Sequence, residues 1–145
     1  MSNLSSLYRQ VIMDHYKNPR NKGLSDDAKY HKFHIKNPSC GDDITVQTKV
    51  VNGVIEDIKH EGTGCSICCS SASVMSETLK GKKLVDARHV IHNFYEMIKG
   101  NDYDEEMDMG DAIIYSGVRN FPARIKCATI AWQACEESIN DENKG

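Results

Sequence analysis

Cys40, Cys65 and Cys127 sit where the chain changes its local pattern, and each has neighbours that suit thiol chemistry. Cys40 lies in Pro38-Ser39-Cys40-Gly41-Asp42, Cys65 in Gly62-Thr63-Gly64-Cys65, and Cys127 in Arg124-Ile125-Lys126-Cys127. Glycine beside the first two permits tight or left-handed backbone there. A thiolate is both the nucleophile and the metal ligand, and a helix N-terminus or a nearby cation stabilises it. Three thiolates and the Asp42 carboxylate make a four-donor set suited to Zn²⁺, with a formal charge of −2 that Arg124 and Lys126 would offset. Oxygen is the hardest donor of the four and the natural one to exchange. A closed structural site is more often built from four cysteines, or from cysteine with histidine. The intervals 40 to 65 to 127 match no zinc ribbon or finger, and free cysteine is among the most buried residue types. On residue chemistry alone, a metal or thiol site and plain core packing both stay open.

The elements that must hold these residues follow from periodicity. Leu4, Leu7, Tyr8, Val11, Ile12 and His15 recur at spacings of three and four, which predicts a helix over 4–17 stopped by Asn18-Pro19. Residues 18–30 read as a loop. His31 to Lys36 alternates, Ile44, Val46, Thr48 and Val50 alternate again, and Asn52-Gly53 predicts a tight hairpin into a third strand from Val54 to His60. Cys40 then falls in the first turn of a three-stranded antiparallel sheet. Cys65 falls between the third strand and a helix over about 67–80. A second helix carries Leu84, Ala87, Ile91, Phe94 and Ile98 and ends at Gly100. Asp102, Asp104, Glu105, Glu106, Asp108 and Asp111 follow with no basic residue among them, a pattern expected of a solvated connector. Pro122 suits the first turn of a last helix that carries Cys127 and reaches about Ile139. The expected class is α+β: an N-terminal helix, a three-stranded antiparallel sheet, then several helices on one face.

Composition narrows the function classes. The chain has 145 residues with 18 basic and 21 acidic side chains, so it offers no basic field for a phosphate backbone, and no nucleic-acid partner is expected. Its longest apolar run is four residues, Ala112 to Tyr115, against the roughly 20 a membrane helix needs. No membrane association and no secretory signal are expected, and a cytoplasmic location follows as an expectation. Six cysteines in a reducing compartment point to metal binding, sulfur chemistry or packing rather than to a disulfide framework.

Three motifs occur in order: Asn37-Pro38-Ser39-Cys40-Gly41-Asp42, Gly64-Cys65-Ser66-Ile67, and Phe121-Pro122-Ala123-Arg124-Ile125-Lys126-Cys127-Ala128-Thr129. With Asp14-His15-Tyr16-Lys17-Asn18-Pro19 near the start, they resemble the iron–sulfur cluster assembly family of IscU and the NifU N-terminal domain, across nearly the whole chain. Two features are similar to its SufU-type branch: Lys126 stands where IscU-type scaffolds carry a histidine ligand, and the Cys65–Cys127 interval is long, with an acidic insertion-like segment at about 100–118. The resemblance implies one domain over residues 1–145 with a SufE/NifU-like fold. It also implies zinc bound by Cys40, Asp42, Cys65 and Cys127, and a sulfur acceptor at Cys40 that takes persulfide sulfur from a SufS-type, pyridoxal-phosphate cysteine desulfurase. Downstream Suf assembly proteins are the implied recipients. Its alternative is a scaffold on which a transient [2Fe-2S] or [4Fe-4S] cluster is built. Whether such a carrier counts as an enzyme is open.

Other residues were weighed on their own. Cys68 and Cys69 replace the small or apolar residues expected after Cys-Ser-Ile, and a packed helix start is the simpler reading against an accessory thiol or a Cys65–Cys68 disulfide. His89 and His92, three apart on a helix, read as surface histidines. His15 and Tyr8 share a helix face and read as buried, as does Trp132.

Overall fold

The computed structural model describes residues 3–144, with side chains from 6 to 140. The order of elements is helix α1 (Asn3–Lys17), strands β1 (His31–Asn37), β2 (Asp42–Val51) and β3 (Val54–Thr63), helices α2 (Ser66–Leu79) and α3 (Leu84–Lys99), a 3₁₀ segment (Gly110–Asn120) and helix α4 (Pro122–Lys144). The sheet is antiparallel in the order β1-β2-β3, with helices following as the periodicity predicted.

Turn chemistry sets the hairpins. Asn52 and Gly53 both take positive φ (53° and 77°), the backbone a two-residue hairpin turn requires. Pairing runs Phe33↔Val46 and Ile35↔Ile44 between β1 and β2, so the apolar sides of the two strands coincide. A bulge between Lys49 and Val50 shifts the β2–β3 register. It changes the parity of β3, which lets Ile55 and Ile58 both be buried although they are three residues apart.

Helix α2 is the centre of the helical layer. Ser70, Ser71, Ser73 and Ser76 are all fully buried, small enough to let neighbouring helices approach and each hydrogen-bonded. Helix α4 packs across β1 and β2 and against α2, while α1 packs on the other side of α2. From α4, Trp132 Nε1–H donates to Ser71 Oγ (2.9 Å), and its ring stacks on Phe94 of α3 at 3.9 Å between centroids. That stacked pair contributes about 1 kcal/mol beyond its buried area.

The acidic stretch departs from the expected solvated connector. Its carboxylates are exposed, but its backbone is anchored: Asn93 Nδ2–H donates to the Asp104 carbonyl (2.9 Å) and Asp104 N–H donates to Asn93 Oδ1 (2.7 Å). Asp111 shares a 3.0 Å hydrogen bond with Nε2 of His15, whose Nδ1 lies 2.8 Å from Ser73 Oγ. His15 is therefore buried, as its place on the helix face suggested, and ties α1 and α2 to the start of the 3₁₀ segment. Residues 18–30, expected as a loop, are likewise pinned to β3, where Gly23 N–H donates to the His60 carbonyl (2.8 Å).

Candidate metal and thiol centre

The β1–β2 turn, the start of α2 and the second turn of α4 meet at one end of the sheet. The Asn37↔Asp42 pair closes the first turn, with Cys40 N–H donating to the Asn37 carbonyl (3.2 Å) and Gly41 at φ 72° turning the chain back. Cys65 is the N-cap residue of α2, in extended conformation. Cys127 follows Pro122, the first residue of α4.

These elements bring Cys40 Sγ, an Asp42 carboxylate oxygen and Cys127 Sγ within 4.8 Å of one another. Cys65 lies outside that tightest group, but its N–H is bonded to the Asp42 carboxylate within it. The Cys40 S–H donates weakly to the Ala123 carbonyl in the first turn of α4 (3.8 Å). Asp42 is held on both oxygens: Cys65 N–H donates to Oδ1 (3.2 Å) and Asn37 Nδ2–H to Oδ2 (3.3 Å).

Burial separates the residues. Cys40 and Cys65 are half-buried, whereas Asp42 (2 % exposed) and Cys127 (0 %) are enclosed. Packing of α4 on the sheet encloses Cys127 although it stands near a helix start. Burial, with the neighbouring Asp42, Cys40 and Cys65 groups, pushes the Cys127 thiol well above its ordinary value. The exposed Arg124 guanidinium is the compensating cation. Interaction with the Cys127, Cys65 and Cys40 thiols raises its pKa. Lys126 is exposed.

Asn37 is a member of this centre that sequence reasoning treated only as part of a turn. Its motif position was visible, but a turn asparagine and a carboxylate-holding asparagine look the same in one dimension. Gly64 is the second. A Cβ there would stand 2.4 Å from Asp42 Oδ1, so the chain passes the carboxylate at a distance only glycine allows.

The remaining candidates fall elsewhere. Cys68 is fully buried and Cys69 half-buried. Burial and contact with Cys69 push the Cys68 thiol up, while acceptance of the Cys68 S–H lowers Cys69. His89 and His92 are exposed on α3, and His92 faces only Glu96 at 3.7 Å. Cys135 is fully buried in α4. Among the described residues, one other group has metal-ligand spacing: His15, Glu77 and Asp111. Its members already have partners, with Arg20 Nε 3.7 Å from Glu77 and His15 bonded to Asp111. No helix among the described residues is long and apolar enough to cross a membrane.

A small antiparallel sheet backed by helices, with three thiols and a carboxylate gathered from a turn and two helix starts, places the chain among the iron–sulfur assembly folds. It belongs to the NifU-like N terminal domain family, which it matches over residues 7–128. It is 47% identical to the zinc-dependent sulfurtransferase SufU of Bacillus subtilis (strain 168), across 99% of this chain and 97% of the relative. It is also 37% identical to the iron–sulfur cluster assembly scaffold protein IscU of Streptococcus pyogenes serotype M1, over 96% of this chain and 86% of that protein. Among solved structures, the putative iron–sulfur cluster assembly scaffold protein for the SUF system from Fervidobacterium islandicum AW-1 superposes with a TM-score of 0.79 at 33% identity, covering 89% of this chain and 93% of that one.

Proposed function

We propose that this chain is a zinc-dependent sulfur acceptor in iron–sulfur cluster assembly. In this reading Cys40, Asp42, Cys65 and Cys127 are the metal ligands, and Cys40 receives sulfur from a pyridoxal-phosphate cysteine desulfurase of the SufS type. The observation that carries the reading is the gathering of Cys40, Asp42 and Cys127 donor atoms within 4.8 Å, with the Cys65 N–H bonded to Asp42. The 47% identity to a zinc-dependent sulfurtransferase supports it, as does Lys126 in the place of a fourth-ligand histidine.

The donor set fits zinc. Three sulfurs and one carboxylate oxygen match its borderline-soft preference, and Arg124 offsets the excess negative charge. Zinc bound by these residues would supply no redox chemistry and would keep the thiols deprotonated, with Cys40 reactive once it is no longer a ligand. Asn37 and the Cys65 N–H orient Asp42, the second layer that fixes a ligand's direction.

Cys40 is the most suitable acceptor because it sits on a turn and is half-buried, while Cys127 is enclosed. Its thiolate attacks the outer sulfur of the desulfurase persulfide. The S–S bond of that persulfide breaks, Cys40 becomes the persulfide, and the desulfurase cysteine leaves as a thiolate. The product sulfur then passes to downstream Suf assembly proteins.

The test is desulfurase turnover with the zinc-loaded chain under reducing, anaerobic conditions, against Cys40→Ala. Acceleration that Cys40→Ala abolishes is expected. The same acceleration from Cys40→Ala overturns the assignment. A cluster scaffold is the second reading, favoured by the 37% identity to a scaffold protein, and it would hold a transient [2Fe-2S] or [4Fe-4S] cluster on the same cysteines. It is distinguished by a thiolate-to-iron absorption band after anaerobic addition of iron and sulfide.

A further inference from the structure

The six thiols of the chain differ sharply in access. Under the ligand set proposed above, on which this inference rests, Cys40, Cys65 and Cys127 are engaged by metal. Cys68 and Cys135 are fully buried. Cys69 alone remains free of metal and only half-buried, its S–H donating weakly to the Gly64 carbonyl (3.6 Å), and with Gly64 it lines a cavity of about 430 Å³.

The lining of that cavity is specific. Lys22 brings a cation whose only ion pair among the described residues is a long, exposed one to Glu61 (3.8 Å). His60 lines it too and is 3 % exposed. Nε2 of His60 lies 2.7 Å from the Arg20 carbonyl, so that nitrogen carries the proton. Burial lowers the pKa of the ring, which favours its neutral form. That leaves Nδ1 as the acceptor nitrogen of the ring. The cavity therefore combines an accessible thiol, a cation for a carboxylate and an acceptor for an N–H group, with Tyr16 and Pro19 as its wall.

We propose that Cys69 is a site of mixed-disulfide formation with a low-molecular-weight, cysteine-derived thiol seated in this cavity. The co-reactant is the disulfide of that thiol. Cys69 loses its proton to solvent, and its sulfur attacks one sulfur of the external disulfide. That S–S bond breaks, a new one forms at Cys69, and the other half leaves as a thiolate. Cys69 is oxidised to the disulfide level as the departing half is reduced. The ligand's carboxylate meets Lys22 and its N–H group meets His60 Nδ1. Because Gly64 lines the cavity and also touches Asp42, the adduct sits one residue's thickness from the proposed metal ligands.

The test is incubation of the full-length, zinc-loaded protein with L-cystine at neutral pH, followed by intact-protein and peptide mass spectrometry with zinc measured on the same sample. One cysteinyl adduct per chain, on Cys69 and with zinc retained, is expected. Cys69→Ser should take up none. Lys22→Ala should form the adduct about threefold more slowly, the size of an exposed charge interaction, while its rate with the uncharged 2-hydroxyethyl disulfide stays at the parent value. Three results overturn the proposal: no adduct with cystine, adducts on other cysteines while zinc is retained, or equal cystine rates for Lys22→Ala and the parent. If the chain takes up no zinc, the ligand set fails, and the Lys22→Ala comparison on the Cys69 peptide still decides this proposal.

Discussion

Replacing Gly64 with alanine puts a methyl carbon 2.4 Å from Asp42 Oδ1 and 3.2 Å from its Cγ, where ordinary contact begins at 3.4 Å. Relief takes about 1 Å of movement, by the carboxylate or by the backbone at 64–65. Gly64 does not have positive φ, so the alanine backbone is unstrained and the collision is the whole perturbation. The Cys65 N–H···Asp42 bond is already 3.2 Å long, and a further ~1 Å breaks it. Loss of a hydrogen bond to a charged acceptor costs about 1.5–3 kcal/mol. Because this bond orients a proposed ligand, zinc affinity should fall about 10–100-fold. Competition with a chromophoric zinc chelator reads the affinity, and circular dichroism of the metal-free protein confirms the fold. A folded Gly64→Ala protein with zinc affinity within about twofold of the parent refutes the coupling between this glycine, Asp42 and the metal.

Three further outcomes follow from other parts of the molecule. Asp42→Ala should keep the fold and weaken or speed the exchange of zinc, read by the same chelator; parent-like zinc binding and sulfur acceptance would remove Asp42 from the ligand set. Trp132→Phe loses the Nε1–H bond to Ser71 and part of the packing on Phe94, and should lower unfolding free energy by about 2 kcal/mol in urea titration. Burial pushes the Cys135 thiol from 9.0 up to about 12, so the native state keeps a proton that the unfolded chain gives up. That contribution is complete below pH 9 and is lost as pH rises toward 12, at about 1.4 kcal/mol per unit, and Cys135→Ala should show a shallower alkaline loss of stability than the parent.

What the sequence disclosed depended on whether a residue's role is local. The period of α1, the Asn52-Gly53 hairpin, and Gly100 at φ 82° ending α3 are set by a few neighbouring residues, and all were legible. Turn position also made Cys40 stand out. Roles that depend on distant packing were not legible. Nothing near Cys127 says that α4 will cover it, and nothing near Asp111 says that it meets His15 from 96 residues away. The bulge at Lys49/Val50 is hidden because alternation alone gives Ile55 and Ile58 opposite faces. Of the two new thiols, the likeness of Cys68 and Cys69 in sequence concealed that one is buried and the other faces a cavity.

The Cys40, Cys65 and Cys127 thiols come from the first turn of the sheet and from two helices, α2 and α4, that follow it in the chain. On a ribosome this order matters. Cys40 and Cys65 leave the exit tunnel well before Cys127, so a growing chain carries unmatched thiols until α4 has been synthesised. Any metal captured in that interval is held by an incomplete set of donors. Docking of α4, rather than formation of the β-sheet, is then the event that would complete the proposed centre.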